Sequence, residues 1–240
     1  MNPYDDPTFF DQYAHMRRSE EGLKGAGEWP ALEAMLPDLT DKKILDLGAG
    51  YGWHAKYFVD HGAASVVAVD LSEKMIATAK EKNGDPRITY MVGDISQVDF
   101  DVDQFDMVFS SLAIHYLPSF AALVDHVRKF LLPDGIFLFS VEHPVFTASG
   151  DQDFVQSGER TVFPVDRYFD EGKRETEFLG SQVTKYHRSL TTYLHTLVTH
   201  QFVIADVVEP TPAAELRDLP EMANEWRRPM MLIIKSLNHK

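Results

Sequence analysis

The chain has 240 residues, 44% hydrophobic and 12% aromatic, a composition that can bury a full core and excludes intrinsic disorder. Its 23 lysines and arginines stand against 37 aspartates and glutamates, and the formal charge of −14 disfavours nucleic-acid and anionic membrane partners. The absence of cysteine excludes disulfides, cysteine–zinc sites and thiol nucleophiles. We see no secretory signal and no apolar run of roughly 20 residues, and we expect a cytoplasmic protein.

Five apolar, β-rich segments alternate with helical segments through the first 145 residues. The segments expected to form strands are KILDLG, SVVAVD, RITYMVGD, FDMVFSSLA and GIFLFSVEHP. The expected helices are GWHAKYFVDHG, SEKMIATAKEKNG with Ser72 as its N-cap, and SFAALVDHVRKFLLPDG. Strands so continuous in valine, isoleucine, leucine and phenylalanine are typical of a parallel sheet covered by helices on both faces. The pattern predicts a doubly wound α/β fold.

This pattern lapses between residues 145 and 183, where aromatic, acidic and glycine- or proline-containing sequence predicts a loop-like insertion that covers the substrate. A helix is predicted to resume at KYHRSLTTYLHTLVTH, followed by strands FVIADVVE and PMMLIIKS on either side of a proline-rich link. We divide a single domain, 1–240, into an N-terminal helical lid (1–40), a cofactor-binding core (41–144), the insertion (145–183) and a C-terminal helix with an antiparallel strand pair (184–240).

The first predicted strand ends in DLGAGYG, where Asp46 is followed by Gly48, Gly50 and Gly52. A glycine-rich turn from a strand into a helix lets the backbone approach a ligand and offers free N–H groups. The G-x-G-x-x-G fingerprint of dinucleotide sites fails, because its third glycine position holds Trp53. A carboxylate at the strand end would also repel a pyrophosphate. The turn therefore favours a ligand with a cationic amino group and argues against a dehydrogenase.

Two more acids follow the second and third predicted strands. Asp70 lies 20 residues after Gly50, where a carboxylate can accept hydrogen bonds from both ribose hydroxyls. Asp94, in VGDIS, is placed to accept from the exocyclic amine of a purine. An ammonium group, a ribose and an adenine, each met by a carboxylate from a successive strand, describe S-adenosylmethionine.

Five motifs in this order resemble the Rossmann-like (class I) S-adenosylmethionine-dependent methyltransferases: ILDLGAGYG, VVAVDLSEKMI, VGDI, FDMVFSSLAIHYL and LLPDGIFLFSVEHP. The N-terminal FFDQYAHMRRS and the later VEHP and KYHRSL segments are similar to a mostly uncharacterised, small-molecule subgroup of that family. The resemblance covers the whole domain. It implies a seven-stranded, mostly parallel sheet of order 3-2-1-4-5-7-6 with its last strand antiparallel, and S-adenosyl-L-methionine as the cofactor, with S-adenosyl-L-homocysteine as the product.

The resemblance also implies which residues contact the cofactor. The glycines would line its methionine end and Asp70 would hold the ribose. Asp94 with Ile95 would frame the adenine, and Leu71 with Met75 would supply apolar contacts. The predicted cofactor-binding set is Asp46, Gly48, Ala49, Gly50, Gly52, Asp70, Leu71, Met75, Asp94, Ile95, Ser110 and Arg17.

Methyl transfer requires an acceptor held in line with the methyl group and sometimes a base. His115 after the fourth strand, His143 after the fifth and His187 at the start of the resumed helix are candidates for that base or for a substrate contact, against structural roles. Tyr13 shares a helical face with Arg17 and could reach the methionine end or an anionic substrate group. We predict no metal site, because no H-E-x-x-H or comparable spacing occurs.

We expect a methyltransferase that modifies an oxygen or nitrogen of a small molecule, as a monomer or homodimer. Arg167, or Arg188 beside His187, could bind a carboxylate through two hydrogen bonds, which points to a carboxylate-bearing acceptor. Two alternatives stay open: an RNA or protein methyltransferase on the same scaffold, and a protein that binds S-adenosylmethionine without catalysis. The acidic composition argues against nucleic acid as the substrate.

Overall fold

The computed structural model describes residues 3–212, 218 and 222–240. Its strands are β1 (Lys43–Leu47), β2 (Ser65–Asp70), β3 (Ile88–Val92), β4 (Phe105–Ser111), β5 (Leu131–Glu142), β6 (Val155–Ser157), β7 (Arg160–Val162), β8 (Gly172–Phe178), β9 (Ser181–His187), β10 (Phe202–Val208) and β11 (Met231–Asn238). Seven of these form the central sheet, in the order β10-β11-β5-β4-β1-β2-β3. β11 runs antiparallel to both of its neighbours, and the other pairs are parallel. The predicted sheet order and its antiparallel last strand are confirmed.

The N-terminal segment is built from short helices: α1 (Pro7–Ala14), α2 (Arg17–Glu20) and α3 (Trp29–Met35), with 3-10 turns at Pro3–Asp5 and Gly22–Gly25. The Asp6 side chain caps α1 by accepting hydrogen bonds from the backbone N–H groups of Thr8 and Phe9. Phe9 is fully buried, and its ring meets Phe178 of β8 edge-on at 5.8 Å between centroids. This contact docks α1 against the β8–β9 hairpin.

The remaining helices are α4 (Trp53–Asp60), α5 (Glu73–Asn83), α6 (Phe120–Phe130), α7 (Pro144–Thr147) and α8 (Leu190–Thr199). Ser72 caps α5 as predicted, because its Oγ accepts from the backbone N–H of Met75 at 3.1 Å. Along β5, Phe137 and Phe139 join one buried apolar cluster and Leu138 joins another. The alternation means that apolar layers cover both faces of the sheet, as expected for parallel strands.

The C-terminal half differs from the sequence-based expectation. The insertion contains two hairpins, β6–β7 and β8–β9, instead of a loop. The helix predicted from Lys185 onwards begins at Leu190 with Ser189 as its cap, and His187 ends β9 instead of starting a helix. The reason is the turn at Leu179 and Gly180, both with positive φ (50° and 69°), which is the two-residue turn that folds a hairpin tightly. That turn pairs residues 172–178 with 181–187.

The helix expected to continue through PDG ends at Phe130, because Leu131 already belongs to β5. The proline-rich link before β11 falls partly on residues 213–217 and 219–221, which lie outside the described residues. In the part of the chain that the structure describes, no helix is long and apolar enough to cross a membrane.

Candidate cofactor and acceptor site

The turn between β1 and α4 is a bare backbone surface at the carboxyl edge of the sheet. A Cβ atom at Gly48, whose φ is 83°, would lie 2.3 Å from the Cβ of Ala113, so packing excludes a side chain there. A Cβ atom at Gly50, whose φ is 52°, would meet nothing closer than the Tyr13 hydroxyl at 4.0 Å. Gly52 caps α4 without a side chain, and Ala49 is buried beside it. The open side of the turn at Gly50 is therefore where a ligand can approach the backbone.

Asp46 is the penultimate residue of β1, just before this turn, and is fully buried. Neither of its carboxylate oxygens has a hydrogen-bond partner among the described residues. Burial, with Asp70 adding repulsion, raises the pKa of Asp46 from 3.8 to about 8. An unpaired buried acid is costly, and a cationic group of a ligand would satisfy it.

Asp70 ends β2 at the same edge. Its Oδ2 accepts from the backbone N–H of Gly50 at 2.8 Å, and its Oδ1 accepts from that of Ser72 at 2.9 Å. Burial raises the pKa of Asp70, and these two hydrogen bonds oppose the rise. Each carboxylate oxygen has a second lone pair, so the group can still accept from ligand hydroxyls.

The other residues predicted to contact the adenosine differ in their exposure and hydrogen bonding. Leu71 is 52% exposed beside Asp70, whereas Met75 and Ile95 are buried. The Asp94 carboxylate is exposed and accepts from the backbone N–H and the hydroxyl of Ser96. Asp46 and Asp70 thus come together, while the Asp94 carboxylate is hydrogen-bonded within its own loop. Ser110 is buried and donates to the Leu47 carbonyl at 2.7 Å, a contact between β4 and β1.

A cavity of about 60 Å³ opens between the glycine turn and the N-terminal segment. It is lined by Tyr13, Arg18, Ser19, Gly22, Leu23, Ala26, Gly48, Ala49, Gly50, Tyr51, Trp53, His54 and Ser111. Arg17, the arginine predicted to contact the cofactor, is 62% exposed in its side chain and pairs with Glu21 instead. Arg18 pairs with the buried Glu28 and faces the cavity. The prediction that Tyr13 and Arg17 share one helical face is wrong, because α1 ends at Ala14 and a separate helix, α2, begins after Met16.

The walls of this cavity carry polar atoms that lack partners. Of the lining residues, Ser19 Oγ, Trp53 Nε1 and His54 Nε2 make no hydrogen bond within the described residues. The same holds for Oε2 of Glu28, the ion-pair partner of Arg18. Burial, with the nearby Arg18, lowers the pKa of His54 to about 3, so this imidazole is neutral. A cavity with unsatisfied donors, unsatisfied acceptors and one arginine suits a small zwitterion, such as the amino-acid end of S-adenosylmethionine.

The three candidate histidines have different hydrogen bonding. His143 accepts at Nδ1 from the backbone N–H of Val145 at 3.0 Å, and its Nε2 lies 2.7 Å from Glu209 Oε1. His187 uses its Nδ1 on Thr147 Oγ1 at 2.7 Å and its Nε2 on the Tyr168 carbonyl at 2.9 Å. Both ring nitrogens of His187 are therefore engaged in structural hydrogen bonds, whereas the buried Nε2 of His143 faces only the Glu209 carboxylate.

His115 differs because only one of its ring nitrogens has a hydrogen-bond partner in the described part of the chain. Its Nδ1 accepts from the backbone N–H of Glu142 at a long 3.4 Å. Burial lowers the pKa of His115 to about 4, so the ring is neutral at pH 7. Its ring lies 4.4 Å from that of Tyr116, whose hydroxyl is 3.1 Å from that of Tyr4. Tyr4 in turn meets Tyr13 edge-on, which connects His115 to the mouth of the glycine turn.

Comparisons with known proteins agree with this geometry. The Methyltransferase domain profile matches residues 45–139. A Listeria monocytogenes protein assigned as an S-adenosylmethionine-dependent methyltransferase is 48% identical, with a TM-score of 0.86 over 91% of this chain and 100% of that one. The chain belongs to the S-adenosylmethionine-dependent methyltransferases. The Mesorhizobium loti methyltransferase is 42% identical, with a TM-score of 0.85 over 90% of this chain and 100% of that one. An uncharacterised Haemophilus influenzae protein is 31% identical over 98% of this chain and 96% of that one.

Membership of this family makes the chain an enzyme that uses S-adenosylmethionine as its methyl donor. The residues present fit that cofactor, because the open turn at Gly50, the unpaired acid Asp46 and the arginine-bearing cavity lie together at one edge of the sheet. When bound, the cofactor supplies an electrophilic methyl group on a sulfonium. In the described residues no cluster of histidines and acids could hold a metal ion.

We predict that Gly48→Ala destabilises this methyltransferase by about 3 kcal/mol, because it adds a clash with Ala113 to a backbone strained at positive φ. Ala113→Gly in the same chain should remove the clash but not the strain, and recover about half of the loss. Gly27→Ala, at a position with no neighbour within 4 Å, is the control. Urea unfolding measures all four proteins. Equal stability of Gly48→Ala and the wild type would contradict the packing argument.

We predict that Asp46→Asn raises the melting temperature of the ligand-free methyltransferase, and raises it more at pH 8 than at pH 5. The unfolded carboxyl loses its proton near pH 4 and the folded one near pH 8, so this group destabilises the fold progressively as pH rises between those values. A gain of several degrees at pH 8 is expected, measured by calorimetric melting. The exposed Asp94→Asn is the control, and a gain independent of pH would refute the buried-acid account.

Proposed function

We propose that this methyltransferase transfers a methyl group from S-adenosylmethionine to an oxygen or nitrogen of a small, carboxylate-bearing molecule. One observation carries the choice of acceptor: three cations, Lys185, Arg188 and Arg18, lie near His115. Burial lowers the pKa of His115, Glu142 is the charge with the largest effect and raises it, and the three cations lower it. In a chain with a formal charge of −14, this local cluster of cations supports an anionic acceptor at His115.

We assign the cofactor contacts as follows. Asp46 takes the ammonium group of the methionine end, and Arg18 takes its carboxylate in place of the Arg17 predicted from sequence. Asp70 accepts from the ribose hydroxyls, and Leu71 with Met75 contacts the adenosine. The unpaired Asp46 oxygens and the cavity position of Arg18 support the first two assignments.

Binding of S-adenosylhomocysteine, measured by isothermal calorimetry, tests these contacts. Asp70→Ala should weaken binding on the order of 100-fold, because it removes charge-assisted hydrogen bonds. Arg18→Met should weaken it by about 10-fold or more, whereas the neighbouring Arg17→Met should leave it unchanged. The pair is matched in residue type and differs only in which arginine lines the cavity. Equal losses in both arginine variants would refute the assignment of Arg18.

Cofactor binding should also release a proton. The pKa of about 8 leaves Asp46 mostly protonated at pH 7 in the free protein, and an ammonium partner favours its ionised form. Calorimetric titrations of S-adenosylhomocysteine in two buffers with different ionisation enthalpies should show close to one proton released per site. Asp46→Asn should show none. Identical heats in both buffers for the wild type would contradict the pairing of Asp46 with the ammonium group.

On the acceptor side we propose His115 and Tyr13 as the residues that contact the reacting groups. His115 is neutral and has one ring nitrogen without a partner among the described residues, which supports a hydrogen bond to the acceptor. His187 retains a structural role because both of its ring nitrogens are hydrogen-bonded, and we leave His143 out because its Nε2 faces the Glu209 carboxylate at 2.7 Å. Positioning carries most of a methyl transfer, so we expect His115→Gln to lower turnover without changing affinity for S-adenosylhomocysteine.

Radiolabelled S-adenosylmethionine incubated with fractions of a small-metabolite extract tests the acceptor class. The label should appear in the fraction retained by an anion exchanger. Label confined to neutral or cationic metabolites, or found in RNA or protein, would overturn the proposal. We further propose that the enzyme acts in the cytoplasm, as a monomer or homodimer, and the cysteine-free composition is compatible with a reducing compartment.

A further inference from the structure

The inner face of the β8–β9 hairpin is polar although it is buried. The side chains that alternate inward are Arg174, Thr176, Val183, Lys185 and His187, and all five are at most 5% exposed. A hairpin packed against the rest of the fold for stability alone would place apolar residues there. Buried cations are retained where they are paired or where they perform a function.

The buried cations near this hairpin are held in two different ways. Arg174 donates to the backbone carbonyls of Ala148 and Asp170, and Arg188 donates to those of Leu117 and Tyr186. Main-chain oxygens of the fold cannot move away, so these two guanidinium groups are structural. Lys185 instead binds only side chains among the described residues. Its partners can change rotamer and release it.

Lys185 is almost completely buried, with 3% of its side chain exposed. Its Nζ donates to Glu142 Oε1 at 2.6 Å and to Gln152 Oε1 at 3.1 Å. Gln152 donates in turn to Glu142 Oε2 at 2.7 Å. An ammonium group has three donors, so these contacts leave Lys185 with one more. Phe178 covers the ammonium group, with its ring centroid 5.4 Å from Nζ.

This ion pair lies beside the group that we place next to the acceptor. Glu142 ends β5, and its backbone N–H donates to His115 Nδ1. Phe178, which covers Lys185, contacts Phe9 of α1, and Phe9 contacts Tyr4 at 4.9 Å between ring centroids. A contiguous set of side chains therefore joins Lys185 to the aromatic residues around the cofactor site.

We propose that Lys185 is the specificity-determining residue that binds the carboxylate of the methyl acceptor, and that Glu142 occupies Lys185 until the acceptor arrives. This inference rests on the proposed function, because it names the side chain that recognises the acceptor's anionic group. The Glu142 carboxylate is held by one cation and one amide, which is the arrangement that an incoming carboxylate would take over. Glu142 keeps the buried lysine paired in the absence of acceptor, and its negative charge competes with every other anion.

If Glu142 and the acceptor carboxylate compete for Lys185, substitutions of Lys185 and of Glu142 should change carboxylate affinity in opposite directions. The protein is saturated with S-adenosylhomocysteine and titrated with acetate, malonate, succinate and benzoate, and with the corresponding neutral amides, using ligand-observed NMR. At least one carboxylate should bind, and its amide should not. Lys185→Met should weaken that binding by about 10-fold or more, and Glu142→Gln should strengthen it several-fold because the competing charge is gone. Lys185→Arg should retain binding.

Lys173→Met is the matched control. Lys173 lies on the outer face of the same hairpin, where it pairs with Glu175, and its loss should leave carboxylate binding unchanged. Weaker or unchanged carboxylate binding in Glu142→Gln would overturn the proposal, since a purely structural ion pair predicts no gain. An absence of affinity for all four carboxylates in the wild type would also overturn it. Failure of the wild type to bind S-adenosylhomocysteine would instead refute the cofactor assignment, so the two failures are distinguishable.

Discussion

The convergence of two carboxyl groups at one edge of a parallel sheet is the constraint on which the site depends. Adjacent parallel strands end on the same side, so Asp46 of β1 and Asp70 of β2 are brought close together. Asp70 is stabilised by backbone N–H groups, but Asp46 has no partner within the described residues. Under the proposed assignment, the ammonium group of the cofactor would relieve that cost. The free protein would then lose stability at the position where it gains affinity.

The distribution of charge gives the two halves of the site different chemistry. The proposed cofactor half carries the carboxyl groups of Asp46 and Asp70, whereas the proposed acceptor half has Lys185 and Arg188 near a neutral histidine. A formal charge of −14 over the chain makes the acceptor half an exception to its surroundings. Low-dielectric walls strengthen both fields and favour ligands of opposite local charge at neighbouring positions.

Prediction succeeded where the information was local. The strand–turn–helix pattern around Gly48 and the Ser72 cap act over a few residues, and both are present as predicted. The β8–β9 hairpin was missed because its period-two pattern is short and mixes charged with apolar residues. The Leu179–Gly180 turn was the signal that could have revealed it. Arg18 was missed because the chain breaks between α1 and α2. Helical periodicity counted along one continuous helix therefore gives the wrong side-chain directions after the break.

The bare turn and the acids near the ends of the first two strands could be predicted from the sequence alone, since motif spacing and local backbone preferences specify them, whereas the sheet order was what the family resemblance implied. Tertiary structure alone decided which arginine lines the cavity, which of the three candidate histidines has a ring nitrogen with no polar contact among the described residues, and that Lys185 pairs with Glu142, 43 positions earlier. The physical reason is the distance along the chain over which each interaction acts. Backbone preferences and caps act between neighbours, whereas ion pairs and hydrogen-bond saturation depend on distances that exist only once the chain has folded.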